Sequence, residues 1–287
     1  MDQNGQRKVC IVTGASRSVG QAIAAELGAT GAVVYVTGRG AAGHSRFEGD
    51  TVEDSAAMVN AQGGVGIPVV LDQRDDAQVE ALFARVRREQ GRLDVLVNNA
   101  WGGYEDHDAT FNAPFWEQPL ARWDRMLQIG VRSTYVAIFC AAPWMVEQGH
   151  GLVVNTSVLT HPDKYLDSAP YDTAKTAINR ITFATARDLQ PHGASVVGVA
   201  PGWLRTKLIY EMYKTDAEQW HTVEELAQTE STHYAARVVA ALARDEQVAR
   251  WRGQTLAAGT LARAYGVTDI DGRQPDFYRD VLKMDTA

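Results

Sequence analysis

Two cysteines in 287 residues, Cys10 and Cys140, cannot build a disulfide framework. One falls in a short β-branched run and the other in an apolar helical stretch, so both read as reduced packing residues. Positive charge is in deficit as well. The 28 Lys and Arg stand against 35 Asp and Glu, a net charge of −7, which is not the footprint of a nucleic-acid binder. No apolar run approaches membrane-spanning length and the first residues lack an apolar signal region, so neither a membrane nor secretion is expected and the location is expected to be cytoplasmic. The histidines, His44, His107, His150, His161, His192, His221 and His233, are scattered without ligand spacing or clustered carboxylates, and no metal site is expected. His161 reads as a hydrogen-bonded loop residue.

What the chain does have is alternation. Short apolar strands are expected at Lys8 to Thr13, Ala32 to Thr37, Gly66 to Leu71, Val95 to Asn98, Gly151 to Thr156 and Ser195 to Val199. Between them lie helical periodicities, notably Ala77 to Gln90, Arg122 to Glu147 and about Pro170 to Leu189. Strand and helix in turn give an α/β fold, a doubly wound parallel sheet of Rossmann type with helices on both faces. There is no linker, internal repeat or low-complexity segment, so residues 1–287 are expected to be a single domain, and 45% apolar residues suffice for its core. Ligands of such sheets bind beyond the carboxyl ends of the strands, and those ends carry Gly14, Asp72, Asn98, Ser157 and Pro201.

The first strand runs into Gly14-Ala15-Ser16-Arg17-Ser18-Val19-Gly20, followed by a helix with Ile23, Ala24 and Leu27 on one face. Strand, small-residue turn and helix place helix N-terminal amides against a phosphate. The turn is degenerate, because Ser18 stands where a dinucleotide fingerprint has its middle glycine. At the end of the second strand comes Gly38-Arg39 in place of the carboxylate that a free ribose wants. Arg39 and Arg17 favour NADP(H) over NAD(H), since guanidinium binds a 2′-phosphate with paired hydrogen bonds and Gly38 leaves it room. In Pro170-Tyr171-Asp172-Thr173-Ala174-Lys175 a phenol and an ammonium lie one helical turn apart on one face. A neighbouring cation draws a phenol's pKa down from about 10, which makes the pair a proton donor and acceptor.

Taken in order, Thr13 to Gly20, Asp72 after a strand, Asn98-Asn99-Ala100, Tyr171 to Lys175 and Pro201-Gly202-Trp203-Leu204-Arg205-Thr206 resemble the short-chain dehydrogenase/reductase family over nearly the whole chain. The segments Phe115-Trp116-Glu117, Gln128 to Arg132, Leu261 to Gly266 and Asp269 to Arg273 are similar to the branch that contains dehydrogenase/reductase member 1. The resemblance implies that Gly14, Ser16, Arg17, Val19, Gly20, Arg39, Asp72, Gln73, Asn98, Ala100, Tyr171, Lys175, Pro201, Gly202 and Thr206 meet the dinucleotide. In that scheme Asp72, with Gln73 beside it, bonds the adenine edge, Asn98 ties the fourth strand to the phosphate turn, and Thr206 binds the nicotinamide amide or a phosphate. Tyr171 exchanges a proton with the carbonyl or alcohol oxygen, and Lys175 lowers its pKa and holds the nicotinamide ribose. Asp72 also has a simpler reading as a cap of the helix that starts near Asp75.

Three positions depart from the family's pattern. The family's carbonyl-polarising serine aligns with Val158 in Asn155-Thr156-Ser157-Val158, so Ser157, one residue early, is the candidate and Thr160 the substitute. Gly130 stands where many members have an Asn whose backbone holds a relay water. A glycine there permits a local kink. Trp101 follows Asn99-Ala100 where Gly is usual; it either roofs the nicotinamide site or packs its loop. The stretch from 101 to 120, with Tyr104, His107, Phe111, Phe115 and Trp116, and the segment from 203 to 230, with Tyr210, Met212, Tyr213 and Trp220, are candidate mobile walls of the substrate site. Their lining suits a small or medium apolar carbonyl or alcohol. Pairing through the two long helices, with Tyr135, Ile138, Phe139 and Trp144 on one and Ile178, Ile181 and Phe183 on the other, would give a homodimer or homotetramer. Three rivals to an NADP-dependent oxidoreductase stay open: an NAD-dependent dehydrogenase, a dinucleotide-binding regulator without turnover, and a nucleotide-sugar epimerase, against which the Pro201-Gly202 loop and short tail count.

Overall fold

A computed structural model describes residues 5–41, 48–105 and 108–284; His44 and His107 lie outside them. β1 (Val9–Val12) is buried along its whole length, as a strand covered on both faces must be. It pairs in parallel with β2 (Val33–Gly38) on one side and β4 (Val95–Asn98) on the other. Outside β2 lies β3 (Val65–Val70), and outside β4 follow β5 (Gly151–Thr156), β6 (Ala194–Ala200) and β9 (Thr255–Ala257), giving the order 3-2-1-4-5-6-9. β3 is an edge strand with alternating exposure, which is why it tolerates Pro68. The strand order reverses between β1 and β4, and the crevice at that switch point is where a doubly wound sheet binds ligand.

Helices α1 (Ser18–Gly28), α2 (Val52–Ala61), α8 (Thr232–Arg244) and α9 (Ala258–Tyr265) cover one face. α3 (Asp76–Gln90), α5 (Ser133–Gln148) and α6 (Ala169–Leu189) cover the other. Ile23, Ala24 and Leu27 of α1 are fully buried, as their spacing predicts. α3 is capped by Asp75, whose carboxylate accepts from the amides of Ala77 and Gln78 at 3.0 and 3.2 Å, and it ends on Gly91 in the left-handed region. Asp72 is not that cap.

Motif reading misses α2, α8, α9 and β9. β9 is three residues long, too short to carry a period, and the buried side of α8 is mostly alanine and valine. The long helix differs in another way from expectation. α4 (Leu120–Arg125) and α5 are joined by a π-helical segment, Met126–Arg132, into one helix of 29 residues that is long and apolar enough to cross a membrane by length and composition. The expectation that nothing reaches that length is therefore wrong. Charged residues at Arg122, Asp124, Arg125 and Arg132 divide the run in the sequence, and half of its apolar window is buried inside the fold.

The wall from 203 to 230 is also more ordered at its ends than a mobile loop. β7 (Leu204–Arg205) and β8 (Glu230–Ser231) pair in parallel around α7 (Lys207–Tyr213) and short turns. Arg205, 4% exposed, donates to the carbonyl of Thr229 at 2.6 Å and to the carboxylate of Asp269 at 3.2 Å. Trp220 lies flat over its guanidinium, 3.7 Å from the ring centre. A buried charge so paired fixes both ends of the wall, because breaking either partner would strand the other.

Candidate active site

The phosphate turn is locked to β4 by its smallest residues. Gly14 has a φ of +61°, and a Cβ there would stand 2.6 Å from Cα of Ala100. A Cβ at Gly20 would lie 2.4 Å from the carbonyl of Gly14 and 2.5 Å from Nδ2 of Asn99. Ser18, at the place of the missing middle glycine, still adopts φ +53°, a conformation that costs a non-glycine residue about 1 kcal/mol. The tie across the turn belongs to Asn99. Its side-chain amide donates to the carbonyls of Thr13 and Gly14 at 3.2 and 3.0 Å, and its backbone N–H donates to the Thr13 hydroxyl at 3.0 Å. Asn98 was expected in that role; instead its amide donates to Asn155 on β5 at 2.9 Å. Adjacent residues of a strand face opposite sides, and only one of the pair can face the turn.

Around this turn stand the other expected dinucleotide contacts. Arg17 is exposed at the start of α1, and Ser16 faces Gly38 and Gly40. A Cβ on Gly38 would meet Ser16 Oγ at 3.2 Å, so this glycine lets Ser16 come close to the end of β2. Arg39, exposed, is ion-paired with Glu105. Asp72 accepts from the backbone and guanidinium of Arg74, which holds its carboxyl below the usual range. Gln73 is 6% exposed, yet neither end of its amide has a partner among the described residues. A buried amide left in that state needs a ligand or water to satisfy it. The loop after β6 is held from behind: Gly202 N–H donates to Glu230 at 3.0 Å and the Pro201 carbonyl accepts from Tyr278 at 3.0 Å. Burial pushes the Glu230 carboxyl up to about 8. Thr206 caps α7, its Oγ1 accepting from the Ile209 amide.

Tyr171 and Lys175 sit on the first two turns of α6. Trp101 stands edge-on to the Tyr171 ring at 5.6 Å between centroids, and Tyr104 and Phe111 complete the enclosure at 6.1 Å each. The Lys175 ammonium rests on the indole face of Trp101, 3.9 Å from its centre. Burial lowers the Lys175 pKa to about 7 and lifts the Tyr171 phenol well above its ordinary value. Lysine was expected to draw the phenol down. It does not in this geometry, because loss of hydration dominates at both groups and the ammonium faces the indole. Ser157, 3% exposed, donates its hydroxyl to the Lys175 carbonyl at 3.3 Å. Val158 packs beside Ala200, Ala257 and Tyr278, while its carbonyl and the Thr160 hydroxyl both accept from Asn179, at 3.0 and 3.1 Å. Both hydroxyls therefore meet α6, Ser157 at the Lys175 carbonyl and Thr160 one turn further on at Asn179. His161 accepts from the Asp163 amide at 3.2 Å, a loop contact as expected.

Sequence comparisons bear on this arrangement. Residues 8–217 match the family model described as short chain dehydrogenase. The chain is 38% identical over 283 residues to human dehydrogenase/reductase SDR family member 1, covering 96% of this chain and 86% of that one. Among solved structures it is similar to a short chain dehydrogenase from Mycobacterium thermoresistibile, with a TM-score of 0.79, 25% identity, and coverage of 94% and 92%. It is also similar to a metagenomic short-chain oxidoreductase in complex with NADP, with a TM-score of 0.67, 27% identity, and coverage of 87% and 96%. The chain belongs to the short-chain dehydrogenase family. It is an NAD(P)-dependent oxidoreductase of the branch that holds dehydrogenase/reductase member 1.

In this short-chain dehydrogenase the departures at Trp101 and Gly130 are one feature. A Cβ on Gly130 would lie 2.4 Å from Cζ3 of Trp101, and a Cβ on Gly103 2.6 Å from Cζ2. The indole fills the space that an asparagine side chain at 130 would need, and it carries Lys175 on its face. Gly130 lies within the π-helical segment. Trp101 therefore packs its loop and walls Tyr171 at once. Neither residue announces the other in sequence, since 29 positions separate them.

Gly130→Asn should destabilise the protein by about 1–3 kcal/mol through overpacking against the indole. Trp101→Gly alone leaves a void, and the double variant should recover part of the loss. Urea unfolding of the four proteins tests this; strictly additive losses would mean the two sites are uncoupled.

The depressed Lys175 pKa carries a stability signature. Between about pH 7 and 10.5 the unfolded chain keeps a proton that native Lys175 has released, so its contribution to stability rises with pH across that window. Below pH 7 both states are protonated and the burial penalty stands in full. Relative to Lys175→Met, the wild type should gain stability between pH 6.5 and 9.5 in urea titrations; a flat difference would place the ammonium in water.

Proposed function

We propose that the chain, as one dinucleotide-binding domain, is an NADP-dependent oxidoreductase that interconverts a carbonyl and an alcohol on a small to medium apolar molecule. The observation that carries this reading is the Tyr171 phenol enclosed by Trp101, Tyr104 and Phe111 beside Lys175 and Ser157, next to a phosphate turn. An aromatic enclosure removes water and selects apolar substrates, leaving the phenol as the polar group that meets the reacting oxygen.

The dinucleotide, when bound, supplies or takes the hydride. The orphaned amide of Gln73 with Asp72 fits an adenine edge, and the amides of the Ser16 to Gly20 turn at the start of α1 fit the phosphates. Ala100 borders that turn, and Pro201, Gly202 and Thr206 line the far end of the crevice. Tyr171 gives its proton to the carbonyl oxygen, or takes it from the alcohol. Ser157 turns its hydroxyl from the Lys175 carbonyl to the substrate oxygen, a small rotation from a long 3.3 Å bond. Lys175 leaves the indole face to hold the ribose.

The preference for NADP rests on Arg39 and Arg17. An exposed pair such as Arg39–Glu105 is worth about 0–1 kcal/mol, whereas hydrogen bonds to a charged group contribute about 1.5–3. A 2′-phosphate therefore outcompetes Glu105. The metagenomic relative in complex with NADP points the same way.

In a panel of apolar carbonyls and alcohols with NADP(H), Tyr171→Phe should lower kcat by about 10² to 10⁴-fold at unchanged cofactor affinity. Ser157→Ala should cost about a hundredfold, and Lys175→Ala should damage turnover and cofactor binding together. Wild-type activity of Tyr171→Phe would leave a non-catalytic dinucleotide binder as the better reading. In calorimetry NADP(H) should bind at least about tenfold more tightly than NAD(H), and Arg17→Ala with Arg39→Ala should abolish the difference. Equal affinities in the wild type would assign NAD instead.

A homodimer or homotetramer is also proposed, on a smaller surface than the sequence suggests. Ile138, Trp144 and Ile178 are core residues, but Tyr135, Phe139 and Phe183 are 54%, 67% and 42% exposed on α5 and α6. Light scattering at micromolar concentration should give a multiple of the chain mass; a monomer would show that these rings face solvent.

A further inference from the structure

We propose that Tyr104 is a second acid–base residue of this site, passing protons between Tyr171 and solvent. The inference rests on the reading of Tyr171 as the proton donor to substrate. The two phenol oxygens lie 3.2 Å apart, with ring planes tilted by 32°. Tyr104 is 46% exposed, whereas Tyr171 is enclosed by rings, so of the two Tyr104 is the one that opens more to water.

Tyr104 is also held in place. Its ring packs on Phe111 at 5.9 Å and on the edge of Trp101 at 6.2 Å. Phe111 in turn lies under the guanidinium of Arg122, which is 1% exposed and donates to the Thr110 carbonyl at 3.1 Å and to Asp108 at 2.9 Å. A buried arginine thus fixes the Phe111 ring on which Tyr104 packs. On the other side of Tyr171 the Lys175 ammonium faces the indole and makes no hydrogen bond among the described residues, so in this arrangement it does not link the phenol to solvent.

Two phenols form a well-matched relay, since a proton passing between groups of equal intrinsic acidity climbs little in free energy. In reduction the Tyr171 O–H bond breaks as the substrate O–H bond forms. In the same transition state the Tyr104 O–H bond breaks as a new Tyr171 O–H bond forms, its electron pair staying on the Tyr104 oxygen. Water returns a proton to Tyr104, and the hydride comes from the reduced nicotinamide dinucleotide. Oxidation runs the same steps backwards.

The test is Tyr104→Phe, which keeps the ring and deletes the hydroxyl, beside Tyr171→Phe and Phe111→Leu. Tyr104→Phe should lower kcat about tenfold or more, with the KM for NADPH within about twofold. A solvent deuterium inventory on the wild type should be bowed, for two protons in transfer, and straight in Tyr104→Phe. Phe111→Leu, which disturbs packing alone, should keep the bow. In apo protein with ¹³C-labelled tyrosines, the Tyr171 midpoint should move by about one pH unit in Tyr104→Phe, as for coupled sites. The relay is overturned if Tyr104→Phe turns over like wild type, or keeps a bowed inventory, while Tyr171→Phe is inactive. Activity in Tyr171→Phe would instead overturn the reading of the donor itself.

Discussion

The site depends on one close approach, the backbone of the turn after β1 against the end of β4. Gly14 against Ala100 and Gly20 against Gly14 and Asn99 leave no space for a Cβ. Three hydrogen bonds from Asn99 then close the gap that the glycines create. The amides at the start of α1 are thereby aimed over the switch point of the sheet, where the helix N-terminus offers partial positive charge to a phosphate. Because Ala100 is fixed by the same contact, Trp101 is positioned directly after it. The ring wall beside Tyr171 inherits its place from the turn after β1.

From Trp101 the dependence runs to α6. The indole needs a glycine at 130 and at 103, and it receives the Lys175 ammonium on its face. An ammonium over an indole is worth about 0.5–2 kcal/mol, more as water is removed. That is less than the desolvation which brings the Lys175 pKa to about 7, so the residue is held near the point where charge and neutrality balance. A group so poised responds strongly to any neighbour that supplies an acceptor.

Much of this was legible in the residues. The strand alternation, the Gly14 to Gly20 turn and the Tyr171 to Lys175 spacing each specify local geometry, and local geometry is what periodicity encodes. β4 and β5 fall at the expected residues, and α6 within one. What was not legible is relational. Asn98 and Asn99 are the same residue type, and only the pleat decides which one faces the turn. Trp101 and Gly130 each look like an isolated departure until the fold sets one on the other. Gly38 lies against Ser16, a residue 22 positions away that no local pattern connects to it.

The phenol pair shows the same limit at the level of chemistry. Helical spacing placed Lys175 beside Tyr171 and implied a lowered phenol pKa, because spacing reports distance along a helix and says nothing of hydration. In the folded chain burial sets both pKa values and moves them in opposite directions, the phenol up and the amine down. Each shift favours the neutral form, leaving the phenol protonated and the amine close to its midpoint against the aromatic walls. Charge then enters with the dinucleotide and with the transition state, where fixed donors in a dry enclosure stabilise it most.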